Sequence, residues 1–113
     1  MIKKNKYHNV KFNGYDSIKE AKRAEELKLL QRAGKIKDLE EQKVFELIPS
    51  FKDLTGKTER AVKYKTDFFY YDNDIKRFVI NDVKSPMTKK LKDYIIKRKL
   101  TKRLYPEYEF LET

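Results

Sequence analysis

One stretch of sequence decides the fold: Phe78-Val79-Ile80-Asn81-Asp82-Val83-Lys84. Its apolar and β-branched residues predict a buried strand, and Ser85-Pro86 ends that strand. At the carboxyl end an acid and a base, Asp82 and Lys84, replace the apolar residues. Because residues two positions apart on a strand share a face, roughly 7 Å from each other, Asp82 and Lys84 are expected to point into the same space.

The preceding strand places another carboxylate near this pair. Between Arg60 and Tyr71, apolar and aromatic residues alternate on one face of the predicted strand, and Asp67 lies on the other face. The turn Asp72-Asn73-Asp74 joins the two strands into a hairpin. Since Asp67 and Asp82 are similar distances from this turn, we expect them to be cross-strand neighbours.

Helical periodicity flanks these strands. Ser17-Ile18-Lys19-Glu20 fits a capping box, apolar residues from Ile18 onward recur at helical spacing, and Gly34 supplies a stop, so a helix is predicted over about 17–33. A second helix is predicted over about 88–104, with an apolar stripe made of Leu91, Tyr94, Ile95 and Leu100.

Shorter strands complete the predicted order. The run 42–48 is a strand candidate that Pro49 stops, and 108–111 forms a last strand. The order is then a helix, a three-stranded antiparallel meander, a helix and a strand. This order predicts an α/β protein of the α+β type, with a mixed four-stranded sheet flanked by helices.

The composition limits the possible functions. A chain of 113 residues is expected to form a single domain over 1–113, with 1–16 as a basic N-terminal arm that holds the only histidine, His8. There is no cysteine, and hence no disulfide, thiolate zinc site or cysteine nucleophile. Without a signal segment or a long apolar run, a cytoplasmic protein with no membrane partner is expected.

The charge balance favours a nucleic-acid partner. Twenty-eight Lys and Arg residues against 18 Asp and Glu give a formal net charge of +10. Such an excess is typical of nucleic-acid-binding surfaces, although a heavily solvated surface has the same balance. The second predicted helix is especially basic, and its candidates for contact with phosphates are Lys89, Lys90, Lys97, Arg98, Lys99, Lys102 and Arg103.

The converging carboxylates suggest a metal site. Asp67, Asp82 and the carbonyl oxygen of Val83 would offer hard oxygen ligands of the kind that Mg²⁺ and Mn²⁺ prefer. Phosphodiester hydrolysis uses such an ion, and Lys84 could orient water or stabilise the phosphate. A plain cross-strand salt bridge between Asp and Lys would leave the same pattern in the sequence.

Glu20 has two interpretations. As the fourth residue of Ser17-x-x-Glu20 it closes the capping box. It also lies along one edge of the helix's apolar stripe, so a helix packed on the sheet could present it to the carboxylate pair. Both roles can hold together.

These residues resemble the PD-(D/E)XK nuclease superfamily. Ser17-x-x-Glu20 opens the first helix, Tyr64-x-x-Asp67-Phe68 lies on a middle strand, and Asp82-Val83-Lys84 precedes a basic helix. The predicted αβββαβ order is that of the superfamily's restriction-endonuclease-like core. Over nearly all of its length the chain also resembles a family of small, largely uncharacterised phage and prophage proteins. The further motifs that carry this resemblance are Lys6-Tyr7-His8-Asn9, Asp16-Ser17-x-x-Glu20-Ala21 and Leu39-x-x-Gln42.

The resemblance implies a role for each polar position. Asp67 and Asp82 would bind Mg²⁺ or Mn²⁺, Glu20 would support the ion directly or through water, and Lys84 would be the catalytic lysine. Thr66 stands where the superfamily name has Pro, which is a frequent departure. A phage protein acting in the host cytoplasm is also implied.

Two functions from different classes follow. The first is a metal-dependent endonuclease that hydrolyses DNA, with branched or recombination intermediates as the expected substrates. A symmetric homodimer would bring two active sites to two strands, as Holliday-junction resolvases of the superfamily do. The alternative is a module that binds nucleic acid or protein through the same fold and basic helix without cleaving it. RNA is less favoured as a substrate because no RNA-recognition motif is present.

Overall fold

The computed structural model describes Gly14, Tyr15 and residues 17–113. Apart from Gly14 and Tyr15, the basic arm predicted at 1–16 lies outside the described residues, and so does His8. The elements in chain order are α1 Ile18–Arg32, β1 Ile36–Glu41, β2 Val44–Ile48, β3 Phe51–Lys52, β4 Thr58–Glu59, β5 Val62–Lys65, β6 Phe68–Asp72, β7 Arg77–Asp82, a 3-10 helix Thr88–Lys90, α2 Lys92–Leu104 and β8 Glu109–Glu112.

Helix α1 begins and ends as the sequence predicts. The Ser17 hydroxyl accepts the Glu20 backbone N–H at 3.0 Å, as an N-cap residue does. At the other end Gly34 has φ +79°, and Lys35 N–H donates to the carbonyl of Leu30, which closes a Schellman turn. The predicted apolar stripe is wrong at Ile18, which is 50% exposed, because Glu20 takes the inward position in the first turn.

The main sheet is mixed and four-stranded, as predicted. Its strand order is β1-β6-β7-β8. The first three strands are antiparallel neighbours, and β8 runs parallel to β7. The first strand of the meander is Ile36–Glu41, so the prediction that 42–48 fills this place is wrong. The error arises because β1 is a charged edge strand with little apolar patterning.

Residues between β1 and β6 form a two-stranded arm, Val44–Lys65. Strand β2 pairs antiparallel with β5, and β3 pairs with β4 nearer the tip. The single strand predicted from Arg60 to Tyr71 is therefore two strands that belong to different sheets. Thr66 and Asp67 lie at the break, where the Thr66 N–H and hydroxyl both donate to the carbonyl of Lys43.

Both faces of the main sheet are covered. Helix α1 packs on one face, where Leu27 contacts a cluster that includes Phe68 and Val79. Helix α2 and the base of the arm cover the other face, through buried side chains such as Phe45, Ile80, Leu47, Tyr64 and Tyr94. Within the described part of the chain, no helix combines the length and the apolar character that crossing a bilayer requires.

The second helix is shorter than predicted. A 3-10 turn at Thr88–Lys90 precedes it, and Leu91 between the two has extended backbone angles. Leu91 is 51% exposed, so its predicted place on the apolar stripe is wrong. The stripe begins one turn later with the buried Tyr94 and continues to Thr101.

Candidate functional site

Asp67 and Asp82 are cross-strand neighbours, as predicted. Strands β6 and β7 pair Phe68 with Asn81. Asp67 and Asp82 are one residue farther from the turn than this pair, so they lie side by side. The Asp67 N–H donates to Asp82 Oδ1 at 3.1 Å. The Val83 N–H in turn donates to Asp67 Oδ2 at 2.8 Å. Each carboxylate is thus held by the backbone of the opposite strand, which fixes their relative orientation.

The Asp82 side chain is completely buried. Its relative exposure is 0%, and the hydroxyl of Tyr64, at the base of the arm, donates to Oδ2. Burial raises the pKa of Asp82, while the nearby positive charge of Lys84 and the Asp67 N–H oppose that rise. A carboxylate kept in this position costs folding free energy, and such groups concentrate at functional sites.

Tyr64→Phe is expected to destabilise the protein by about 1–3 kcal/mol, the cost of leaving a buried acceptor without its donor. The substitution keeps the ring and removes only the hydroxyl that Asp82 accepts. Urea unfolding followed by circular dichroism measures the change. Tyr71→Phe, at a half-buried tyrosine of β6, is the matched control. Equal stabilities for the two variants would contradict the role given to the Tyr64 hydroxyl.

Lys84 lies on the open side of the carboxylate pair. Its Nζ is 3.8 Å from Asp67 Oδ2, and the two side chains are 18% and 14% exposed. The ammonium group also lies 5.6 Å from the centroid of the Tyr94 ring. Its backbone is fixed as well, since Lys19 Nζ donates to the Lys84 carbonyl at 3.1 Å. A partly exposed cation beside a carboxylate can meet an anionic ligand with little rearrangement.

Glu20 belongs to the helix cap through its backbone and lines the cleft with its side chain. Its backbone N–H is capped by Ser17, and its side chain is only 6% exposed. Gln42 Nε2 donates to Glu20 Oε2 at 3.3 Å. Gln42 has φ +60° at the junction between β1 and β2, and this backbone geometry places its amide beside the carboxylate. The Gln42 amide therefore orients Glu20.

A cleft of about 370 Å³ unites most of these groups. Helix α1 contributes Glu20 and Lys19 to its wall, and the hairpin contributes Asp67, Val83 and Lys84. Asp82 does not line the cleft; it lies behind Asp67 and supports it. The structure thus brings three of the four predicted catalytic side chains to one surface, with the fourth directly beneath.

The donor set suits a cation that keeps much of its water. Among Gly14, Tyr15 and residues 17–113, no three acidic or histidine side chains are close enough together to enclose a metal ion. Mg²⁺ commonly uses one or two carboxylates and completes its octahedron with water and substrate phosphate. Asp67, Glu20 and Val83 line the cleft, so two carboxylates and one backbone carbonyl could serve as such ligands.

The basic residues of the second helix are in mixed environments. Lys90, Lys99 and Arg103 are exposed, as a phosphate contact requires. Arg98 instead lies 3.9 Å from Glu112, and its Nε is buried without a hydrogen bond. Lys102 Nζ lies 5.5 Å from the Phe110 ring centroid. Lys89 and Lys97 are half-buried, and none of the seven lines the cleft.

Sequence reasoning missed three side chains around the site. The Tyr64 hydroxyl donates to Asp82, and Lys19 donates to the backbone carbonyl of Lys84. The Tyr94 ring lies beside the Tyr64 ring and beneath the Lys84 ammonium group. The Tyr94 hydroxyl donates to Glu112. Burial is the main cause of the raised pKa of Tyr94, and this hydrogen bond is the second. Only Tyr64 gave a signal, its position three residues before Asp67 on the face with the buried Thr66.

The fold and the cleft define the class of protein. It is an α+β protein with a mixed sheet, in which two carboxylates and a lysine meet where β6 begins and β7 ends. A family profile described as "Protein of unknown function (DUF1064)" matches residues 2–111, so the chain belongs to that family. No curated protein and no solved structure matches the chain.

Proposed function

We propose that this protein is a Mg²⁺- or Mn²⁺-dependent endonuclease of the PD-(D/E)XK type, hydrolysing DNA phosphodiester bonds. One observation carries the proposal. Asp67, Glu20 and Lys84, from two separate parts of the chain, line a single cleft, and Asp82 lies directly behind. A structural salt bridge would need only Asp67 and Lys84 and gives no reason for a third carboxylate.

The ion would be held by oxygens at the cleft wall, those of Asp67, Glu20 and the Val83 carbonyl. The buried Asp82 carboxylate would add negative charge directly behind them. A divalent cation held there would supply positive charge against the phosphate and a more acidic attacking water. Asp67 is kept in place by the Val83 N–H, and Glu20 by Gln42. These backbone and amide contacts orient the oxygens before substrate arrives, which preserves the geometry that catalysis requires.

Lys84 has the task of stabilising charge. Its ammonium group is 3.8 Å from Asp67 and faces the cleft, so a phosphate oxygen bound beside Asp67 would lie within its reach. Negative charge grows on the phosphate oxygens during hydrolysis. A fixed cation at that position lowers the barrier most when, as here, part of its surroundings is already removed from water.

DNA is the favoured substrate because of the overall charge and the arrangement of the site. The net charge of +10 suits a polyanion. The cleft is lined mainly by charged and hydroxyl-bearing residues and holds no aromatic ring to stack an unpaired base. We therefore place recognition in the backbone and shape of DNA, branched or recombination intermediates in particular, with a homodimer able to act on two strands.

The second candidate is a binding module without catalysis. Its support is Asp82, whose two oxygens are already occupied by Tyr64 and the Asp67 N–H, a state in which the carboxylate serves the fold. In that case the basic surface would hold nucleic acid, and the carboxylate pair would only join β6 to β7.

Cleavage assays separate the two candidates. Supercoiled, linear and four-way-junction DNA are incubated with the protein in Mg²⁺, Mn²⁺ or EDTA. Cleavage in either metal and none in EDTA is the expected result. Asp67→Asn should abolish it, whereas Asp74→Asn, at an exposed aspartate of the β6–β7 turn, should cleave normally. Tight binding with no cleavage of any substrate would leave only the binding module.

A further inference from the structure

The arm Val44–Lys65 has a packed base and an exposed distal half. At the base, Phe45, Leu47 and Tyr64 are buried against α2 and the sheet. Beyond Ile48 the burial stops: residues 49–60 are exposed except for the half-buried Asp53. The distal half therefore stands away from the body of the protein, and packing against the core gives no reason for its length.

The turn at the tip is tightly organised. Asp53 Oδ1 accepts the N–H groups of Thr55 and Lys57 at 2.9 and 3.0 Å, and the Thr55 hydroxyl at 2.6 Å. The Asp53 N–H donates to the carbonyl of Lys57. These hydrogen bonds fix the backbone on both sides of Leu54, and the Leu54 side chain is fully exposed. A turn fixed in advance presents its leucine to a partner without a further loss of chain entropy.

The two strands of the arm differ in chemistry. The first presents exposed apolar side chains, Val44, Ile48 and Phe51, on the way to Leu54. The returning strand carries four basic residues and one acid, Glu59; the basic residues are Lys57, Arg60, Lys63 and Lys65. Among the residues that the structure describes, none of these four has an ion-pair partner.

DNA matches both features of the arm. A two-stranded ribbon fits the major groove, and proteins that kink DNA insert apolar side chains between bases. Phosphates would pair with the four cations, and base faces would cover the leucine. A second copy of this chain would offer an apolar surface but would bring another charge of +10 against the same cations.

We propose that the arm lies along the DNA beside the cleaved bond and that Leu54 packs against bases exposed at a branch point. The arm is tied to the site, because Tyr64 at its base donates to Asp82. From Lys65 to Leu54 an extended strand spans at most about 36 Å at roughly 3.3 Å per residue. That reach is close to one helical turn of DNA, about 34–36 Å. The inference rests on the proposed function where it names a cleaved DNA as the occupant.

The test compares two exposed leucines. Leu54→Gln and Leu29→Gln remove similar apolar side chains, the second from the outer face of α1. Binding to a four-way junction and to linear duplex is measured in EDTA, so that cleavage plays no part. We expect Leu54→Gln to weaken junction binding about 10-fold, the order of magnitude expected when the burial of one leucine side chain is lost. Duplex binding should change little, and Leu29→Gln should behave as the unmodified protein.

The cations of the arm are tested separately. In Lys57→Gln and Lys63→Gln, the negative slope of log affinity against log salt concentration should become shallower by about 0.9 for each phosphate that the side chain no longer neutralises. Lys35→Gln and Lys76→Gln, which remove lysines outside the arm, should leave the slope unchanged. An unchanged slope in the arm variants would overturn the pairing of these lysines with phosphates.

The outcomes distinguish this proposal from the nuclease itself. A protein that cleaves DNA, with junction binding indifferent to Leu54 and to the arm lysines, overturns the arm and keeps the enzyme. A protein that cleaves nothing but needs the arm to bind DNA overturns the enzyme and keeps the arm. If the unmodified protein binds no DNA, or if Leu54→Gln changes only its sedimentation as a dimer, the arm has another partner and the proposal fails.

Discussion

Lys84→Met should lower the rate of DNA cleavage about 100- to 1000-fold, the usual cost of removing one fixed group that stabilises charge in the transition state. Methionine keeps the stem of the side chain that approaches the Tyr94 ring and removes only the cation near Asp67. Single-turnover cleavage at saturating protein measures the chemical step. DNA affinity in EDTA should fall far less, since Lys84 is one of 28 basic residues.

Two further variants sharpen this result. Lys35→Met, at an exposed lysine that follows α1, should cleave at the normal rate. Lys84→Arg restores the charge in a different shape and should recover part of the activity. If the saturated rate of Lys84→Met stays normal while its affinity for DNA falls, Lys84 serves binding alone and its catalytic role is refuted.

Asp82→Asn is expected to lose activity and yet to be more stable than the unmodified protein near neutral pH. Asparagine can keep both contacts, because its Oδ1 can accept the Asp67 N–H and its Nδ2 can donate to the Tyr64 oxygen. What disappears is a negative charge on a fully buried side chain. Natural sites often retain such a group at the expense of stability because function requires it.

The pH dependence follows from the direction of the pKa shift. Burial raises the pKa of Asp82 in the folded protein, so the folded state holds this proton more tightly than the unfolded state does. The associated stability is fully present below the ordinary pKa of aspartate and is lost as the pH rises through the folded value. The stability advantage of Asp82→Asn should therefore grow across that interval and then stay constant.

Urea unfolding at a series of pH values, from about the ordinary aspartate pKa to neutrality, measures this difference. Asp74→Asn, at an exposed position, should show no comparable trend. A variant that is less stable than the unmodified protein at every pH would mean that the Lys84 charge more than compensates for burial. Asp82 would then be a structural carboxylate, as the binding-module alternative requires.

The sequence predicted the carboxylate pair because counting outward from a turn is reliable in a regular hairpin. Asp67 and Asp82 occupy matching positions outside the paired residues Asp72 and Arg77 that flank the turn, and backbone pairing fixes the rest. Residue order cannot show depth, however. Asp82 lies behind Asp67, and its Oδ2 accepts the Tyr64 hydroxyl. This arrangement depends on where the arm joins the sheet, and no local sequence pattern encodes the position of that junction.

The strand errors have physical causes. In β1, Ile36-Lys37-Asp38-Leu39-Glu40-Glu41, only Ile36 is buried, and Asp38 adopts φ +56° within an irregular pairing. An edge strand of this kind has no alternating pattern to detect. Conversely, alternation continues from Val62 to Tyr70 across the break at Thr66, so the pattern predicted one strand where the chain changes sheets.

The second helix shows how charge can mislead. Its lysines and arginines all look equivalent in the sequence, but Arg98 pairs with Glu112 on β8, which is distant in sequence. The basic residues of the arm, by contrast, are spread along a strand and form no cluster in the sequence. Tertiary structure alone shows which cations are free for phosphates.

The arm enters and leaves the body of the protein at one point, where the Gln42 N–H donates to the carbonyl of Asp67 at 3.0 Å. That hydrogen bond closes the insertion independently of what lies beyond Ile48. Doubling the length of such a loop costs only about 0.6 kcal/mol in closure entropy. A change in the length of the distal segment should therefore leave Asp67 and Asp82 in register, so the tip of the arm can vary while the cleft keeps its shape.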